Sequence, residues 1–98
     1  MNNAREIFTA DRRLTILQLL DQEHPHEVPA RLVRDGVAAI NAAHDVGLDQ
    51  IWKDFDWLEQ MRLVNQRIDE DRVYAKTTDR GRDAAKGRIR VDGVAIPD

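Results

Sequence analysis

Residues 47–78 read GLDQIWKDFDWLEQMRLVNQRIDEDRVYAKTT, and two periodicities inside this stretch decide the fold. Ile51, Trp52, Phe55, Leu58 and Arg62 recur at i, i+1, i+4, i+7 and i+11, one face of a helical period. Gly47 stands as the N-cap, and Gln50 follows at the capping-box position. Val46 and Ile51 are spaced for a hydrophobic staple across that start. The helix is predicted to end near Arg62, because from Leu63 the period changes to two. Leu63, Asn65 and Arg67 alternate with Val64, Gln66 and Ile68, as on the two faces of a strand. Asp69-Glu70-Asp71 carries no apolar side chain and predicts a tight turn. Val73, Tyr74 and Ala75 begin the return strand with β-branched and aromatic residues.

Upstream, residues 4–22 predict a first helix. Ile7, Leu14, Leu17 and Leu20 form its buried stripe, with Ala10 and Ile16 beside it and Arg5, Glu6, Asp11, Arg12 and Arg13 on a solvated back. His24-Pro25-His26 breaks that helix, since proline has no amide hydrogen and restricts the residue before it. Residues 21–28 are then a polar loop. Residues 29–43 predict a second helix, with Pro29 in its first turn and Leu32, Val33, Val37 and Ile40 as its buried side. Downstream, Thr78 is the N-cap of a last helix, Asp79 favours its positive end, Ala84 and Ala85 pack on the first helix, and Gly87 ends it. Residues 89–98 form a tail with spaced Ile89, Val91, Val94 and Ile96, free to cross the domain surface, pair with a partner or stay disordered. The order predicts an α+β, mostly α fold: a winged helix-turn-helix of three helices, a two-stranded wing and a C-terminal helix, spanning residues 1–88 and followed by the tail.

Ninety-eight residues suit one domain. The absence of cysteine excludes disulfides, thiolate metal sites and cysteine nucleophiles. No apolar run approaches the roughly 18 residues of a membrane span, and the first residues lack a signal-peptide pattern, so a cytoplasmic protein is expected. The net charge of −3 is unevenly placed: residues 1–71 hold 8 basic and 14 acidic groups, residues 72–98 hold 7 and 4. Non-specific DNA affinity rests on Lys and Arg releasing counterions from phosphates, and an acidic chain is poorly equipped for it. No Gly-rich phosphate loop or nucleophile motif occurs, and Thr9, Thr15, Thr77 and Thr78 suit caps or surfaces. The expectation is a non-enzyme without cofactor. His24, His26 and His44, with Glu23 and Glu27, match no standard zinc spacing, so no metal is expected either.

WLEQMRLV, the hairpin and TTDRGRDAAKGR together resemble the end of MarR-like and ArsR-like winged-helix domains. Leu58, Glu59, Leu63, Val64, Thr78 and Gly81 stand at the positions those families share. Arg62 stands where they usually have glycine. Over nearly its whole length the chain also resembles a group of small proteins of Mu-like prophages, through Asp54, Trp57, Leu58, Leu63 and Val64 in a D-x-x-WL-x-x-x-x-LV stretch. The resemblance implies a winged-helix fold, a phage-derived origin and, by analogy, transcriptional regulation.

Two functions remain open on these residues. In the first the chain binds double-stranded DNA. Gln50, Lys53 and Gln60 on the outer face of the helix supply contacts, and Arg67 and Arg72 supply them from the wing strands. Asp49, Asp56 and Glu59, with Asp54 at the margin of that face, and the Asp69-Glu70-Asp71 tip all oppose it by like charge. In the second the chain is a protein-interaction module forming a homodimer or binding a phage or host protein. Trp57 and Met61 form an i, i+4 apolar pair off the main stripe, suited to an interface anchor. Trp57 folded back onto the wing or the first helix is the alternative placement.

Overall fold

A computed structural model describes residues 3–98. The chain is α+β and mostly helical: α1 (Ala4–Gln22), β1 (Val28–Pro29), α2 (Ala30–Ile40), a 3-10 turn (Ala42–His44), α3 (Leu48–Gln60), β2 (Val64–Asp69), β3 (Arg72–Thr77) and α4 (Asp79–Ala85). The antiparallel sheet has three strands in the order β1-β3-β2. The short β1 takes the last residue of the stretch expected to be loop and the first of the expected second helix. It pairs Val28 with Ala75 and Pro29 with Tyr74 along the free edge of β3. Two residues carry no periodicity, so only the docking of that edge creates the strand.

The core forms where three helices meet one face of the sheet. Ile16, Leu17 and Leu20 of α1, Val33 and Val37 of α2, and Ile51, Phe55 and Leu58 of α3 close over Leu63, Val64 and Ala75. Each large apolar side chain removed from water contributes about 1.5–3 kcal/mol, so this cluster outweighs every surface interaction described below. The expected stripes are right at their centres and wrong at their ends. Ile7, Leu32, Ile40 and Trp52 are exposed rather than buried, because the neighbouring elements do not extend far enough to cover them. Arg12, expected on the solvated back of α1, is buried instead. Helix α2 stops at Ile40, and Pro29 is its N-cap rather than a first-turn residue.

Two local devices fix how α3 enters the hairpin. Helix α3 ends at Gln60, two residues before the expected limit, and Arg62 takes the left-handed conformation at φ 62°. That conformation costs a side-chain-bearing residue about 1–2 kcal/mol, which glycine avoids. Part of the gain from glycine is lost to its freer unfolded chain. Arg62→Gly is therefore expected to stabilise the domain by about 0.5–1 kcal/mol, read as a higher urea midpoint at unchanged slope. An unchanged or lower midpoint would show that the Arg62 side chain makes a stabilising contact. At the other end of the hairpin, the Thr78 hydroxyl accepts from the Gly81 amide at 3.0 Å and donates to the Arg62 carbonyl at 2.7 Å. One side chain thus caps α4 and ties it to the exit of α3.

The tail crosses the domain surface along α1. The Ala95 amide donates to the Ala10 carbonyl at 3.1 Å, and Val91 is buried with the core.

Candidate functional site

Helix α3 and the hairpin carry every residue expected to make contacts, and the structure divides that set. Lys53, Gln60 and Arg72 are exposed. Gln50 is half-buried, and its side-chain amide donates to Asp54 Oδ1 at 3.1 Å. It does not complete a capping box, since its side chain turns to Asp54 rather than back to the Gly47 amide. Arg67 is engaged on both sides. Its Nε lies 2.9 Å from Glu27 Oε1, and its guanidinium stacks 4.4 Å from the Tyr74 ring centre. The Glu27 hydrogen bond raises the Arg67 pKa above its ordinary value, with desolvation opposing.

The acidic residues of α3 also divide. Asp54 is buried, not marginal to the outer face. It receives a two-pronged contact from Arg12, with Nε 2.6 Å from Oδ2 and Nη2 3.0 Å from Oδ1. This ion pair explains the burial of Arg12 on α1: each charge makes the other tolerable away from water. Glu59 and Asp56 stay exposed but hold the hairpin against the helix. The Gln66 amide donates to Glu59 Oε2 at 2.8 Å, and the Gln66 side chain donates to Asp56 Oδ1 at 2.9 Å. Glu59 thereby occupies a donor on the outer edge of β2, which would otherwise be open to another strand. Neither contact cancels the negative charge.

Of the two placements open to Trp57, the structure shows the one folded back onto the first helix: the side chain is half-buried and is not an exposed anchor. The Arg13 guanidinium from α1 lies 3.8 Å from its ring centre. Gly93 of the tail packs so close that an added Cβ would stand 2.7 Å from the ring, and its carbonyl accepts from Arg13 Nη1 at 3.1 Å. Burial lowers the Arg13 pKa, and the nearby Asp54 charge counters that. Met61 also packs on the edge of the core. This surface is filled by the chain itself. Trp52, expected in the buried stripe, is 39% exposed. It lines a cleft of about 110 Å³ between the starts of α2 and α3 and the β3 strand, with Leu48, Val73 and Tyr74 as apolar walls and Arg31, Arg72 and Asp71 as its charged lining. The periodicity of α3 could not reveal this cleft, because three elements distant in sequence build it.

A larger, open groove of about 710 Å³ runs between the first half of α1 and the tail, with Arg5, Arg13 and Arg90 beside Glu6 and Asp92. His44 is buried, its Nε2 2.7 Å from Asp11 Oδ2, and it ties the 3-10 turn to α1. His24 lies apart, against Thr77. No helix is long and apolar enough to cross a membrane among the described residues.

No protein-family model matches the chain, and no solved structure matches it. The chain is 35% identical over 92 residues to the uncharacterized protein gp26 of Escherichia phage Mu, a match covering 94% of this chain and 93% of that protein. The expected likeness to proteins of Mu-type phages is thus found at the level of whole sequences. With that identity across nearly both lengths, the chain belongs to the phage protein family of Mu gp26.

Proposed function

We propose that the chain is a winged-helix docking module of a Mu-type phage, whose α3–hairpin face binds protein rather than reading duplex DNA. The order helix, short strand, helix, helix, hairpin, helix supports the winged-helix reading. The observation that carries the docking reading is the Trp52 cleft. An exposed tryptophan beside Leu48, Tyr74 and two arginines has the composition of an interface hot spot. Charge points the same way. Asp49, Asp56, Glu59, Asp69, Glu70 and Asp71 are exposed on α3 and the hairpin, against Lys53, Arg62, Arg72 and the half-buried Lys76, which make no ion pair among the described residues. A duplex approaching this face would meet more repulsion than attraction at its phosphates.

A second reading, a DNA-binding transcriptional regulator, is favoured by one observation. Arg31, Lys53 and Arg72 are exposed and make no ion pair among the described residues. Fluorescence-anisotropy titration against mixed-sequence duplex DNA separates the two. The docking reading expects no binding at low salt. Binding that falls steeply with salt, and weakens in Lys53→Ala and Arg72→Ala, would replace it with the regulator reading.

A further inference from the structure

The hairpin tip and the Trp52 cleft are complementary to each other, and both lie on one patch. The cleft has apolar walls, and its charged lining is Arg31 and Arg72 with one carboxylate, Asp71. The tip carries Asp69, Glu70 and Asp71. The Arg67 guanidinium, 3.9 Å from Asp69, is already held by Glu27, and Arg72, the cross-strand partner of Asp69, makes no ion pair among the described residues. Beside those carboxylates Ile68 is 69% exposed, the most exposed of the large apolar side chains among the described residues. Ile68 pairs across the strands with Val73, so both stand on the same face of the hairpin, and Val73 is itself a wall of the cleft. The apolar surface therefore continues from Trp52 through Val73 to Ile68, with Arg31 at the cleft end, Asp69 and Glu70 at the tip end, and Asp71 and Arg72 shared by cleft and hairpin turn.

A surface with its own complement a few residues away meets the condition for a twofold contact. In such a contact one patch faces a second copy of itself, each end meeting the opposite end. Resting on the docking reading, we propose that the occupant of the cleft is a second copy of this chain. The Ile68 side chain and acidic tip of each protomer seat in the Trp52 cleft of the other, with Asp69 and Glu70 against the partner's arginine rim. Three features left unsatisfied in one chain are answered together: an exposed tryptophan, an exposed isoleucine at a hairpin tip, and two arginines, Arg31 and Arg72, that make no ion pair among the described residues. Within one molecule the tip cannot fold back into the cleft, because residues 71–74 of the hairpin are the cleft wall. An interface of one cleft and one tip on each side is small, so dissociation in about the micromolar range is expected.

Sedimentation velocity on the full chain, from low to high micromolar concentration, tests the proposal. The wild type is expected to shift from monomer to dimer, and Trp52→Ala and Ile68→Ser are each expected to weaken dimerisation about tenfold or more. The decisive arm reverses charge. An Arg31→Glu/Arg72→Glu variant and an Asp69→Lys/Glu70→Lys variant should each be monomeric alone and form a heterodimer when mixed. All these side chains are exposed, and circular dichroism with the thermal midpoint checks that each variant is folded. A wild type that stays monomeric overturns self-pairing. So does a dimer that survives both the Trp52 and Ile68 substitutions, which would place the contact elsewhere, as at the α1–tail groove. In either case the docking reading stands or falls separately, on the DNA titration.

Discussion

Asp54→Asn is expected to destabilise the domain by about 3–5 kcal/mol, a large part of the 5–15 kcal/mol typical of a small domain. The change is nearly isosteric, so packing around residue 54 is preserved and the loss is that of the charge. Arg12 would remain buried beside α3 with no carboxylate to receive it, at a site where its side chain is 10% exposed and that of Asp54 is 2% exposed. Desolvation is what makes the broken pair costly, since an exposed pair would be worth at most about 1 kcal/mol. Urea unfolding followed by circular dichroism gives the value directly. The double variant Arg12→Met/Asp54→Leu, which removes both charges and keeps apolar volume, should recover most of the loss. A single-variant loss below about 1 kcal/mol would show that water reaches the pair.

Gly81→Ala should be at least as damaging, by more than about 3 kcal/mol. A Cβ at this position would lie 1.9 Å from the Leu63 carbonyl oxygen and 2.9 Å from the Leu63 carbonyl carbon. Both are backbone atoms, so no rotamer change can relieve the clash. The same carbonyl accepts from the Thr78 amide at 3.1 Å, so a shift of residue 63 would also strain the start of α4. Helix α4 must then move away from the hairpin, separating Ala84 and Ala85 from the core. A thermal midpoint within a few degrees of wild type would contradict this close approach. Arg62, which stands where the resembled winged-helix families carry glycine, differs in kind. Its strain is conformational and its side chain is free in solvent, so the expected effect of glycine there is small and favourable.

Much of the fold was legible because it is written in local period. The helix over 4–22 appears with its expected limits, and the hairpin over 64–77 has its turn at Glu70 and Asp71. The Thr78 cap of α4 is present as expected. These features follow from spacing, proline geometry and capping chemistry within a few residues of each other. The candidate site was legible only in part. Lys53, Gln60 and Arg72 reach solvent as expected, but Gln50 is claimed by Asp54 and Arg67 by Glu27. A helical wheel assigns faces without knowing what stands opposite, so it could not foresee either partner.

The sequence by itself determined the succession of helices and hairpin, the centre of each apolar stripe, the acidic balance of the first 71 residues and the kinship with a phage protein. Those properties depend on the order and chemistry of neighbouring residues. Tertiary structure alone decided which tryptophan is covered, which carboxylate is neutralised and where a cleft opens. Trp57 is closed off by Arg13 and Gly93 from opposite ends of the chain, and Asp54 is neutralised by an arginine 42 residues away. Trp52 stays open because the α1 helix and the tail, which cover Trp57, line no part of its cleft. Exposure and effective charge are properties of what surrounds a side chain in space, and local periodicity carries no record of that.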